Sequence, residues 1–280
     1  SLIATDENGC SALIEVEITE TEEMAISEIH SEYDSYGVSC NGGNDGYIDI
    51  TITGGTQTYT YLWNDGVTTE DRTNLEAGTY SLVATDQNGC EVDIDVTLTQ
   101  PAALQITETS SDYNGYGVSC NGENDGFIDI TVTGGIIDTY TYLWNDNVTT
   151  ANRDDLVAGT YSVVATDQNG CEIELEIDIT EPSEIEITET PSDYNGYGVS
   201  CNGENDGFID ITITGGTQFY TYLWNDGVTT ENREELEQGT YSLIATDENG
   251  CSALIEVEIT ETEEMAISEI HSEYDSYGVS

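Results

Sequence analysis

Thr60-Tyr61-Leu62-Trp63-Asn64-Asp65-Gly66, followed shortly by Leu75-Glu76-Ala77-Gly78-Thr79-Tyr80, decides how this chain is read. In an extended strand alternate side chains share a face, so Tyr61 and Trp63 point one way and Leu62 the other. Asn64-Asp65-Gly66 then turns the chain. A tyrosine just inside a strand, after a Leu-x-x-Gly loop, is the signature of a tyrosine corner, in which the hydroxyl ties back to the loop backbone. The same pair of signals returns at Thr141 to Asn147 with Leu156 to Tyr161, and at Thr221 to Gly227 with Leu236 to Tyr241. Trp63, Trp144 and Trp224, with Tyr80, Tyr161 and Tyr241, are therefore expected in the cores of repeated modules.

The period follows from the cysteines. Cys-Asn-Gly falls at Cys40, Cys120 and Cys201, and Asn-Gly-Cys at Cys10, Cys90, Cys171 and Cys251. Both series step by about 80 residues, the self-similarity of a tandem array. The middle copy is longer by one position, within Gly135-Ile136-Ile137-Asp138-Thr139-Tyr140. Residues 1–39 are identical to residues 242–280. The expected division is a truncated C-terminal hairpin at 1–20, complete modules at 21–100, 101–181 and 182–261, and the first strand of a truncated module at 262–280. Pro101 and Pro182 follow the last strand of a module directly, which leaves linkers of a few residues.

Within a module the apolar residues alternate. Ile48, Ile50 and Ile52 face inward from Tyr47 to Thr53, and Val92, Ile94, Val96 and Leu98 from Glu91 to Thr99. Asn88-Gly89 between two such runs marks a hairpin. Val67 to Asn74 reads as a short edge strand, and Met24-Ala25-Ile26 begins another. No helical period occurs. Six or seven strands with marked turns give an all-β fold, an extended array of immunoglobulin-like β-sandwich modules of about 80 residues.

Fifty-seven acidic residues stand against three arginines, for a net charge of −54. Nucleic acid is excluded as a partner, because phosphate-backbone binding rests on basic side chains. No apolar run is long enough for membrane insertion of this segment. Such a chain repels itself and favours solubility. Its 37% hydrophobic content, 18 tyrosines and regular alternation separate it from disordered acidic chains. No catalytic constellation is present. His30 and His271 are one repeated position, read as a surface strand residue, and the serines lack a histidine neighbour.

Seven cysteines at fixed positions imply an oxidising compartment. Two pairings are open. Within modules, Cys40–Cys90, Cys120–Cys171 and Cys201–Cys251 would close loops of about 50 residues, each contributing up to roughly 4 kcal/mol. An immunoglobulin topology, however, puts these two loops at opposite poles of a module, beyond disulfide reach. Between modules, Cys40–Cys171 and Cys120–Cys251 would lock each junction. No cofactor is required, but the loops carrying Asn44 and Asp45, Asn124 and Asp125, and Asn205 and Asp206 offer oxygen ligands for calcium, with Asp86, Asp167 and Asp247 contributing from a neighbouring module. The alternative is that Asp-Gly there only makes the turn.

Val-Ser-Cys-Asn-Gly (Val38 to Gly42, Val118 to Gly122, Val199 to Gly203), then Asn-Asp-Gly, Gly-Gly, Tyr-Thr-Tyr-Leu-Trp, a Gly-Thr-Tyr and Thr-Asp-x-Asn-Gly-Cys closely resembles the SprB repeat of giant surface adhesins of gliding Bacteroidetes. The third copy departs mildly, with Glu237-Gln238-Gly239 where the others end Ala-Gly. The resemblance implies an extracellular, cell-surface protein whose parent is associated with the outer membrane. It further implies export by the type IX secretion system, and contact with the gliding machinery and the substratum. The resulting expectation is a non-enzymatic stalk of an adhesin supporting adhesion and gliding motility, its partners the neighbouring modules of the same chain. The alternatives are weak multivalent polysaccharide binding through Tyr33, Tyr36 and Tyr47, or accessory repeats of a larger secreted enzyme.

Overall fold

The structure, a computed structural model, describes residues 1–136 and 139–270. Among them every regular element is a β-strand. A hairpin of β1 (Leu2–Thr5) and β2 (Ser11–Ile14) comes first. The first complete repeat then has β3 (Ala25–His30), β4 (Gly46–Thr53), β5 (Thr60–Trp63), β6 (Arg72–Leu75), β7 (Gly78–Thr85) and β8 (Glu91–Leu98). These form two three-stranded sheets in the orders β3-β4-β6 and β5-β7-β8, all antiparallel. One face of each sheet is apolar and meets the other, which makes the repeat a β-sandwich.

The alternation on β4 and β8 explains the closure. Ile48 and Ile50 are buried from one sheet and Leu82, Val96 and Leu98 from the other, around Trp63 and Leu75. The outward residues of β8 are Glu91, Asp93, Asp95 and Thr97, all exposed. Trp63 is 1% exposed, and its indole N–H donates to Thr69 O at 2.8 Å. The expected strand over Val67 to Asn74 is shorter, reduced to β6. Residues 67–71 are committed elsewhere: Thr69 O accepts the indole, and Asp71 Oδ1 accepts Ile50 N at 3.0 Å.

The middle repeat has β9 (Ala102–Ser110), β10 (Gly126–Gly135), β11 (Thr141–Trp144), β12 (Arg153–Leu156), β13 (Gly159–Thr166) and β14 (Glu172–Ile179). Its sheets run β12-β10-β9 and β11-β13-β14. The third has β15 (Glu186–Pro191), β16 (Gly207–Thr214), β17 (Thr221–Trp224), β18 (Arg233–Leu236), β19 (Gly239–Thr246) and β20 (Ser252–Ile259), in sheets β15-β16-β18 and β17-β19-β20. Val199, Ile209, Ile211, Trp224, Leu236, Leu243, Val257 and Ile259 form its core.

Compactness does not follow the sequence period. One unit comprises Ser1–Thr107, Thr131–Thr149 and Val163–Leu175; the other comprises Glu108–Ile130, Thr150–Ser162 and Glu176–Ser280. The middle repeat contributes to both. Residues 262–270 form no strand, and Met265, Ile267 and Ile270 are 89%, 91% and 95% exposed. Their counterparts Met24, Ile26 and Ile29 lie at or in β3, whose ladder partner is β4; among the described residues, 262–270 belong to no sheet. Ile137, Asp138 and residues 271–280, with His271, lie outside the described residues.

Candidate functional site

The tip of each last hairpin is built on one aspartate. Asp86 sits where β7 ends, 5% exposed. Its Oδ1 accepts the amides of Asn88 and Cys90 at 2.8 and 2.9 Å, and its Oδ2 accepts Thr56 N at 2.9 Å. Amides from Thr56 first, then Cys90, hold its carboxyl below the ordinary range. Asp167 repeats the arrangement with Asn169 N, Cys171 N and Ile136 N. Asp247 does so with Cys251 N and Thr217 N. The carboxylate thus fixes the backbone of the cysteine four residues on and ties the hairpin tip to the Gly-Gly loop after the long strand.

The second element is the Ser-Cys-Asn-Gly loop. Asp45 Oδ1 accepts Ser39 N at 3.1 Å, and Gly43 N donates to Cys40 O at 2.9 Å, closing the loop. Burial pushes the Asp45 carboxyl up, but the hydroxyl and amide of Ser39 outweigh it and the net direction is down. Asp125 and Asp206 accept Ser119 N and Ser200 N at 3.0 Å and are lowered too. The loop also grips the linker after the last strand. Asn41 Nδ2 donates to Pro101 O at 2.9 Å and Gly42 N to Gln100 Oε1 at 2.8 Å. Asn121 and Gly122 hold Pro182 O and Glu181 Oε2, and Asn202 and Gly203 hold Thr262 O and Glu261 Oε2.

These two elements meet between repeats. Cys40 is bonded to Cys171, and Cys120 to Cys251, each with Cα atoms 5.7 Å apart and a sequence separation of 131. Asn169 Nδ2 donates to Ser39 O at 3.3 Å beside the first bridge. At the second, Asn249 Nδ2 donates to Ser119 O at 3.0 Å and Tyr113 O at 3.2 Å, and Asn114 Nδ2 donates to Asn249 Oδ1 at 2.6 Å. In the first repeat the same asparagine, Asn88, instead donates to Thr56 Oγ1 within its own repeat.

The within-module pairing is therefore replaced by the between-module one. The reason is the length of the last strand. The Cys40 loop abuts the end of β8, where Gly37 N and Val38 N donate to Thr99 O. Cys90 lies at the other end of this eight-residue strand, roughly 27 Å away and far beyond the span of a disulfide. Cys10, Cys90 and Cys201 are free and exposed.

The candidate calcium ligands are not brought together. Asp45, Asp125 and Asp206 serve their own loops, while Asp86, Asp167 and Asp247 serve the hairpin tips; no group of three or more His, Cys, Asp or Glu among the described residues is placed to hold a metal ion. Open clefts of about 410 and 680 Å³ border the two bridges, the second lined by Asn121, Pro182, Ile185, Cys251 and Ile255.

The arginines are the site that sequence reading missed. Arg72 lies 5.2 Å from the centre of the Trp63 ring and 5.6 Å from that of Tyr80, and pairs with Asp65 through two contacts of 2.7 and 3.2 Å. Arg233 repeats this on Trp224, Tyr241 and Asp226. Arg153 stacks on Tyr161. The Tyr80, Tyr161 and Tyr241 hydroxyls donate to Glu76 O, Val157 O and Glu237 O at 2.9–3.0 Å, and the three rings are half-buried beside the buried tryptophans. The signal available was numerical: three arginines, with no lysine, in a chain of 57 acids all keep the repeat period.

Six strands in two facing sheets, a tyrosine tied back to the loop before its strand, and bridges from each copy to the next define a tandem immunoglobulin-like repeat protein. Its copies match the SprB repeat family at residues 37–68, 118–149 and 199–229. No curated protein sequence matches it. Among solved structures, it is similar to the eight N-terminal Ig domains of Down Syndrome Cell Adhesion Molecule isoform 1.30.30 at 10% identity, with 92% of this chain and 50% of that one covered and a TM-score of 0.29. It is also similar to a Ca2+-stabilized adhesin that helps an Antarctic bacterium reach out and bind ice, at 15% identity, 92% and 80% coverage and a TM-score of 0.36. A run of titin domains gives 13% identity, 86% and 100% coverage and a TM-score of 0.27. The chain spans half the length of the first of these.

Proposed function

We propose that this chain is a load-bearing repeat region, the stalk, of a bacterial cell-surface adhesin. The observation that carries the reading is the covalent coupling of successive copies: the loop cysteine of one repeat is bonded to the hairpin cysteine of the next, beside a linker gripped at two points. Such bonds persist in oxidising surroundings, which suits the cell surface. The copies are built alike, as expected where each repeat supplies length rather than a private binding site. The three matches to the SprB repeat support an adhesin as the parent, with export by the type IX system, an outer-membrane association and movement by the gliding machinery as the finer form of the proposal.

Two measurements test it. An antibody raised against the chain labels intact source cells without permeabilisation, and on gliding cells the label moves along the surface. Absence of surface label overturns the reading. The purified chain, passed over immobilised polysaccharides, is not retained. Retention that rises with the number of repeats would instead assign the adhesive contact to the repeats themselves.

A further inference from the structure

The two bridges are not independent staples. Cys120 lies between Cys40 and Cys171 in sequence, and Cys171 lies between Cys120 and Cys251, so the two closed loops interlock and share residues 120–171. Covalently, the bridges are two nodes. Three chain segments connect them: a long one from Cys40 to Cys120, a short one from Cys120 to Cys171, and a second long one from Cys171 to Cys251.

We propose that this interlaced pairing is a strain limiter. Three segments run in parallel between the two bridges, and tension that draws the chain out comes to rest on the shortest of them. The distance between the bridges can never exceed the length of the shortest segment. That segment, Cys120 to Cys171, holds β10, β11, β12 and β13, with Trp144 and Leu156. The two longer segments remain slack even when it is taut, so β4 to β8 and β14 to β19 cannot be drawn out to full length by end-to-end force. Within-repeat bonds would place the bridges in series, each limiting the extension of its own repeat alone. The inference stands on the pairing alone, and holds whether or not the repeats belong to an adhesin.

Its test is single-molecule stretching of the whole chain between handles at Ser1 and Ser280. In the oxidised chain the taut path runs from Ser1 to Cys40, crosses the first bridge to Cys171, follows the short segment back to Cys120, crosses the second bridge to Cys251 and ends at Ser280. Its contour is about 420 Å at roughly 3.5 Å per residue. Dithiothreitol opens both bridges and adds about 160 residues, or about 560 Å. The signature is non-additivity. Cys171→Ser or Cys251→Ser alone adds only about 29 residues, or about 100 Å, because the one remaining bridge still closes its whole loop. The double variant adds the full length of about 560 Å, matching the reduced wild type. The proposal is overturned if Cys171→Ser alone adds about 180 Å, the length of residues 120–171. It is also overturned if the Cys40→Ser/Cys120→Ser chain still lengthens on reduction, which would reveal a Cys201–Cys251 bond. The wild type before and after reductant gives the total independently of how well any variant folds.

Discussion

Asp247 is 5% exposed, and its two oxygens take Cys251 N and Thr217 N at 2.9 and 2.8 Å. An amide in its place keeps one acceptor and turns an N–H₂ donor toward the other amide. Asp247→Asn is therefore expected to cost about 1–3 kcal/mol of stability, read by calorimetry on the oxidised chain; an unchanged melting temperature would show the staple to be dispensable. The same geometry sets an acid limit. Asp86, held low by the amides of Thr56 and Cys90, and Asp65 and Asp226, held low by hydrogen bonds from Arg72 and Arg233, bind protons less readily folded than unfolded. Their contribution is present above the unfolded value near pH 4 and is lost as pH falls through the lower folded values. At about 1 M salt, where repulsion among the carboxylates is screened, stability is expected to decline below about pH 4; a decline beginning near pH 6 would assign it to other groups.

At the scale of the element, two glycines with left-handed backbone differ in what surrounds them. Gly215, at the end of β16 with φ +82°, would place a Cβ 1.8 Å from Glu184 O. Gly227, in the β17 turn with φ +85°, would place one in open space. The middle repeat already carries Asn147 at the matching turn, with φ 67°. Gly227→Asn is expected to change stability by less than about 1 kcal/mol, and Gly215→Ala to cost upwards of about 3 kcal/mol. Equal effects in denaturant melts would refute the steric distinction. The strands were legible in the sequence because half-buried antiparallel strands alternate, as β4 and β8 do. Two parts of the core were not. Val38, Val118 and Val199 are fully buried inside stretches that read as polar loop. Ser31, Ser111 and Ser192 are buried too, each donating to a glycine carbonyl six residues on and accepting the amide of Tyr47, Phe127 or Phe208. Alternation carries no information about single residues that fold a loop back on the core. The disulfide partners were legible only as two alternatives, because spacing alone does not say which end of a strand a loop meets.

For the whole molecule, the governing quantity is charge. Fifty-seven acids and three arginines leave −54 at neutral pH, and each arginine ring contact lies inside a single repeat. With no lysine in the sequence, acidic side chains outnumber basic ones 57 to three. At 0.01 M salt the screening length is roughly 30 Å, and at 0.15 M about 8 Å, so dilute buffer couples acids of the same and adjoining strands, whereas physiological salt largely uncouples them. Repulsion of this kind opposes the compact state and is weaker in the more expanded unfolded chain. The melting temperature of the oxidised chain is therefore expected to rise by several degrees between these two salt concentrations and to level off above them. Calcium chloride matched to sodium chloride in ionic strength separates screening from binding. Equal curves follow if the loop aspartates act only on their own backbones. A calcium curve that rises further and saturates would show cation sites in the acidic loops that the hydrogen bonds of Asp45, Asp125 and Asp206 do not by themselves provide. A flat response to both salts would mean that the bridges and cores outweigh the repulsion even when it is unscreened.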